Sequence, residues 1–194
     1  MRRKFLSTVV VAAVLLVSGC GPDIRPVTHF DATSKDGLVV MGIRANTWPK
    51  WQYVVMWWPI DPKTESFDTS APPVAAGYDL FDLSDRTKKT HLIFKVRPGR
   101  HALERFLIHA GSNSSYTVYH RPNTVAFSVG AGEVVYIGDY LVVLPDPESI
   151  FPSMVGTKFR YEGRDDESAR KAVSKIAGVG GDMKFVKPQS FRLK

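Results

Sequence analysis

Thiol chemistry is open to one position, Cys20, because the 194-residue chain holds no other cysteine. A lone thiol closes neither an intramolecular disulfide nor a thiolate metal site, so packing has to hold the fold together. The five histidines, His29, His91, His101, His109 and His120, are dispersed. On a strand, where side chains alternate, His101 and Leu103 share a face and Glu104 takes the other, so His101 and Glu104 are not a metal pair. His101 and His109 are too far apart along one strand to share an ion, and no metal site is expected. Ser112, Ser114 and Ser115 form a turn-like run without the Gly-x-Ser-x-Gly elbow of a nucleophilic serine. A triad assembled from residues distant in sequence, such as His120, Asp139 and a serine, stays open. Gly178-Val179-Gly180-Gly181 follows a helical pattern instead of opening one, which is not the setting of a phosphate-binding loop. Asp165-Asp166-Glu167 are accounted for at a helix N-terminus, where negative charge meets the positive end of the dipole. No catalytic residue is assigned, and no cofactor is expected.

Aromatic residues offer a different chemistry. Trp48, Trp51, Trp57 and Trp58 crowd into eleven positions with Tyr53 among them, and exposed indoles can stack on sugar rings or settle at a lipid interface. Alternation sends Trp57 and Trp58 to opposite faces of one strand, so at least one of them belongs to the core. Trp48 and Trp51, beside Pro49 and Lys50 in a loop, are the candidates for contact with a ligand or partner.

The elements that would position these residues are mostly short strands. Leu38 to Ala45 and Tyr53 to Trp58 are apolar and β-branched, and Trp58-Pro59-Ile60-Asp61-Pro62 ends the second. Lys63 to Gly77 reads as a long polar loop and Tyr78 to Leu83 as a short edge strand. His91 to Val96 and His101 to His109 flank Arg97-Pro98-Gly99-Arg100, a type II turn signal that predicts a hairpin. Tyr116 to His120, Thr124 to Val129 and Glu133 to Leu144 follow, the last bent or split by Gly138-Asp139. Beyond Pro145 to Pro152, Lys158 to Tyr161 adds an edge strand. A helix is expected over Asp166 to Ala177, with Asp165 or Asp166 as cap, Gly178 as stop and Ala169, Val173 and Ile176 on its buried face. Lys184-Phe185-Val186 reads as a final strand before a basic tail. The pattern predicts a mainly β chain, an antiparallel β-sandwich of 37–145 with a C-terminal extension of 146–194 carrying the one helix.

The N-terminus carries a basic Met1-Arg2-Arg3-Lys4 and an apolar Phe5 to Val17, too short to span a bilayer, which is the layout of a secretory signal. Val17-Ser18-Gly19-Cys20 resembles the lipobox of bacterial lipoproteins. That resemblance implies removal of 1–19, a covalent diacylglycerol thioether and an N-acyl lipid on Cys20, and a membrane anchor in the cell envelope. Acyl chains contribute about 0.8 kcal/mol per buried methylene, so several chains hold far more firmly than one. Gly21, not Asp, follows the cysteine, and by resemblance to enterobacterial lipoproteins this implies the outer membrane over the inner. Residues 20–36, with Pro22, Pro26 and scattered charge, read as the tether. Loss of Arg2, Arg3 and Lys4 leaves 23 Lys and Arg against 19 Asp and Glu, a net of +4 in place of +7. With no dense basic patch, nucleic acid is not an expected partner.

From Leu92 to Ile137 the order of signals is similar to that of bacterial lipoproteins and secreted domains of unknown function. Val96-Arg97-Pro98-Gly99-Arg100-His101 and Phe127-Ser128-Val129-Gly130-Ala131-Gly132-Glu133, leading to Tyr136-Ile137-Gly138, carry the likeness. It implies a transthyretin-like or immunoglobulin-like sandwich and no activity. The expectation is a lipid-anchored, non-catalytic binding or assembly module with an envelope protein or polysaccharide as partner. The alternatives are an accessory subunit of an envelope complex and an envelope hydrolase.

Overall fold

The computed structural model describes residues 26–45, 52–77, 89–109, 115–119, 123–143, 158–180 and 182–192. In chain order these form β1 (Gly37–Ala45), β2 (Gln52–Asp61), β3 (Ser66–Phe67), β4 (Val74–Gly77), β5 (Thr90–Val96) and β6 (Gly99–His109). There follow β7 (Ser115–Tyr119), β8 (Asn123–Val129), β9 (Val134–Val143), β10 (Lys158–Gly163), α1 (Asp166–Val173), β11 (Lys184–Phe185) and β12 (Gln189–Arg192). One sheet runs β10-β9-β1-β5, with β11 on the same β9; the other runs β12-β8-β6-β2-β3, with β4 also on β2 and β7 on β6. The described residues form the expected mainly β sandwich with one helix. Most ladders are antiparallel, but β1 and β11 each run parallel to β9.

Period-two alternation builds the core. Val39, Met41 and Ile43 of β1, Val55 and Trp57 of β2, Phe94 of β5 and Phe127 of β8 meet between the sheets, all buried. Trp57 has no exposed surface and packs edge-on against Phe127 at 5.0 Å, whereas Trp58 is half-buried on the outer face, so the two indoles part as expected. The opposite face of β1 and β9, with Leu38, Val40, Val134 and Tyr136, is covered by α1 through Ala169 and Val173, with Ile176 just beyond it. Phe30 and Met183 complete that layer. Phe30 is 1% exposed, and its N–H donates to the Ala177 carbonyl at 2.9 Å while the Ala177 N–H donates to that of Thr28 at 3.1 Å. From Thr28 onward, the segment read as tether therefore packs on the domain.

Several local expectations are corrected. β5 and β6 do not form a hairpin: β5 pairs with β1 in one sheet and β6 with β2 in the other. Pro98-Gly99, with Gly99 at φ 137°, redirects the chain, but local turn chemistry does not decide which sheet receives the next strand. β2 continues through Pro59 to Asp61. The missing proline N–H falls where the neighbouring edge is interrupted between β3 and β4, so no ladder bond is lost. Within the expected polar loop, β3 and β4 lie end to end along β2. β7 and β8 likewise run end to end along β6. The helix stops at Val173, and part of the expected basic tail is β12, paired with β8. The expected Tyr78 to Leu83 strand lies outside the described residues.

Three register shifts occur among the described residues, one of them between Tyr161 and Gly163 of β10, and those in β9 and β6 change the alternation of core residues. In β9 the register with β1 shifts between Val40 and Gly42, so the inward residues pass from Val135 and Ile137 to Tyr140 and Val142. In β6 the register with β2 shifts between Met56 and Trp57, leaving Glu104 extra, and the inward series passes from Leu103 to Phe106. Gly138 lies in the first bulge at φ 90°, where an added Cβ would stand 2.4 Å from the Tyr161 ring and 2.8 Å from the Gly163 carbonyl. Gly138→Ala is expected to cost about 1–3 kcal/mol from the left-handed backbone and the contact together. Chemical unfolding of wild type and variant measures it, and equal midpoints would show that the bulge tolerates a side chain.

Candidate functional site

A charged residue in the middle of an apolar strand demands a partner, and the β9 bulge carries one. Had the alternation continued unbroken past Ile137, position 139 would face the core between the sheets; the bulge turns Asp139 to the outer face with Tyr136. Asp139 is 8% exposed. Gly42 on β1 supplies its floor, since a Cβ there would stand 1.9 Å from Asp139 Oδ1. Across the same glycine lies His91 of β5, because Gly42 pairs with Asp139 on one side and with His91 on the other.

The carboxylate is fully engaged. Tyr136 Oη donates to Asp139 Oδ1 at 2.5 Å and accepts the Asp165 N–H at 2.9 Å. Lys89 Nζ donates to Asp139 Oδ2 at 2.6 Å and to Asp165 Oδ2 at 2.8 Å. Asp165 Oδ1 in turn accepts the Ser168 N–H at 3.1 Å and caps α1. One ammonium thus joins the sheet to the helix N-terminus. Beside it, the Arg44 guanidinium grips Glu162 with two bonds of 2.6 and 2.7 Å.

Charge states follow from these contacts. Burial, reinforced by the bond to Asp139, pushes the Tyr136 hydroxyl far above its usual range, so it stays protonated. Burial alone would lower the Lys89 ammonium, but its bonds to Asp139 and Asp165 raise it. Lys89, followed by the Ser168 N–H, holds Asp165 below the ordinary carboxylate range. His91 is lowered by burial; Lys89 and Lys175 add to that, while Asp139 and Asp165 oppose it. Its Nε2 is buried without a hydrogen-bond partner among the described residues. With its oxygens matched to fixed donors, this cluster has the chemistry of a clamp that fastens α1 to the sheet.

The second bulge repeats the device. Glu104, 5% exposed, accepts from Trp58 Nε1 at 2.8 Å and takes Arg105 in two bonds of 2.6 and 2.8 Å. The neighbouring arginine can reach it because the bulge interrupts alternation. His101 lies on the other face, as alternation requires, stacked on Phe127 at 5.6 Å.

Of the residues singled out from sequence, Cys20 with Val17, Ser18 and Gly19, and Trp48 with Trp51, lie outside the described residues, as do His120, Ser112 and Ser114. Neither oxygen of Asp139 bonds a serine or a histidine among the described residues. No group of three His, Cys, Asp or Glu side chains placed to hold a metal occurs among them. The Asp165-Asp166-Glu167 run does open the helix. Sequence reading passed over Lys89, in a polar stretch, and Tyr136, inside an aromatic strand; the signal for both was the carboxylate within Glu133 to Leu144. No family model, curated protein or solved structure matches the chain.

Lys89→Met would leave Asp139 without its cation. Breaking a wholly buried pair costs roughly 3–5 kcal/mol, and partial exposure of Lys89 brings the expected loss to about 2 kcal/mol. Urea unfolding at neutral pH reads this directly, and an unchanged midpoint would deny the clamp its structural weight. A pH effect is also expected. His91 and His101, both lowered by burial, bind fewer protons folded than unfolded, so stability is full above about pH 6.5 and falls as pH drops below it. Unfolding free energies at pH 7.5 and 5.5 should differ in that direction, and His101→Gln should shrink the difference; a flat profile would contradict burial of neutral histidines.

Proposed function

We propose that this protein is a lipid-anchored module of the bacterial cell envelope, held through Cys20, with a non-catalytic binding or assembly role. The observation that carries the reading is the Val17-Ser18-Gly19-Cys20 run behind a basic and apolar N-terminus, and the pinning of Thr28 and Phe30 to Ala177 fixes where the anchored segment would enter the domain. Eight residue steps separate Cys20 from Thr28, which fully extended reach roughly 26–29 Å. A lipidated Cys20 would keep that end of the sandwich close to the bilayer.

The direction of the strands supports an outward-facing role for the other end. β1 starts beside the pinned segment and runs away from it to Ala45, about 27 Å distant at the usual rise per residue. Val143 and Lys158 also stand at that far end through the pairing of β9 with β1 and β10, and in the other sheet Gln52, Gly77 and His109 lie together, away from the end where Val129 of β8 meets Gly37. Trp48 and Trp51 fall between Ala45 and Gln52 in sequence and are our candidates for contact with an envelope protein or polysaccharide. The outer membrane is our preferred location, on the identity of Gly21. Among the described residues, no helix is long and apolar enough to cross a membrane; the proposed attachment needs none.

The anchor is tested by growth with labelled palmitate. Wild type should carry label and Cys20→Ala should carry none; equal labelling of both would remove the anchor and the orientation built on it.

A further inference from the structure

Most charged groups on the outer face of β9 and its neighbours are matched. Asp139, Asp165, Glu162 and Glu133 each hold a lysine or arginine within 2.6 to 2.8 Å. A cavity of about 320 Å³ at the end of the sandwich where β1 begins and β5 ends is different. Its lining includes Asp36, Lys95 and Arg97, set around an apolar surface to which Pro72, Pro73 and Val74 contribute. Gly37 pairs with Val96, so Asp36 and Arg97 are the next residues on two antiparallel chains and face one another. Neither they nor Lys95 make an ion pair among the described residues. Arg97 acts at a distance on Asp68, but that carboxylate is already held by the Ser70 N–H at 3.0 Å and by the Ser70 hydroxyl.

The backbone of Arg97, an exposed residue, is fixed from behind. A carbonyl can only accept, so His101 Nε2–H donates to the Arg97 oxygen at 2.8 Å, and the imidazole is locked on the Phe127 ring. His101 is 1% exposed and itself forms part of the cavity wall. The turn is thereby tied to the core and not left to solvent. A small cavity with an apolar surface and a few converging polar groups is the usual form of a ligand site, and this one stands at the lower end of the roughly 300–1,000 Å³ range.

We propose that this cavity binds a small zwitterion, its ammonium on Asp36 and its oxyanion on Arg97, with a short apolar body against the prolines. A peptide carboxylate and a phosphate offer the same oxyanion chemistry, and dipeptide size fits the volume. The proposal rests on the binding-module reading but not on the lipid anchor, because every group it uses lies in the folded domain.

Titration calorimetry on the full-length, detergent-solubilised protein tests it with alanyl-leucine and with phosphoethanolamine. At least one of the two should bind, which identifies the oxyanion, and Asp36→Asn and Arg97→Gln should each weaken that binding at least tenfold with the melting temperature unchanged. N-acetyl-alanyl-leucine, which lacks the ammonium, should not bind. Absence of heat with both zwitterions, or binding that survives both substitutions, would overturn the proposal. Palmitate labelling remains unaffected by either result, so failure of the ligand class and failure of the anchor are read separately.

Discussion

A carboxylate removed from water must find donors and a counter-charge, and this fold is arranged around meeting that demand twice. Asp139 and Glu104 are buried acids, each next to a bulge that breaks strand alternation, each served by an aromatic donor and a basic side chain. Without the bulges, the alternation that fills the core with Ile137 and Tyr140, or with Leu103 and Phe106, could not be kept on both sides of the acid. Gly42 and Gly138 belong to the same constraint: one leaves room for the Asp139 carboxylate, the other accepts the backbone that delivers it.

The consequences reach past the sheet. Lys89 and Tyr136 carry the Asp139 interaction to Asp165, which caps α1, and α1 covers the second apolar layer. Residues just beyond the helix receive the N-terminal segment at Ala177. The path of the chain into the domain therefore depends on a helix whose placement depends on the buried acid. The sandwich acquires two unlike ends: one where the N-terminal segment packs and the cavity with spare charges opens, and one where the strand ends flanking Trp48 and Trp51 stand.

Local patterns were legible in the sequence where a local cause fixes them. The division of Trp57 and Trp58, the buried face of Ala169, Val173 and Ile176, and the opposite facing of His101 and Glu104 all follow from the periods of strand and helix. The interruption at Gly138-Asp139 could be anticipated from glycine and charge inside an apolar run. The hairpin expected at Pro98-Gly99 failed for the converse reason: a turn sets the direction of a chain, not its partner. β3, β4 and β12 were missed because edge strands of two to four residues owe their existence to the neighbour that pairs with them.

The candidate site divides in the same way. The sequence by itself determined a mainly β chain with one amphipathic helix, and it alone supports the reading of Cys20, because a lipobox is a run of covalently adjacent residues. Only the tertiary structure decided which charges are spent and which are free. Lys89 meets Asp139 across 50 positions and Asp165 across 76, while Asp36 and Arg97 stand face to face with no ion pair among the described residues. Such pairings arise from sheet register and layer packing, which sum many weak contacts over the whole chain, and no neighbouring residue encodes them.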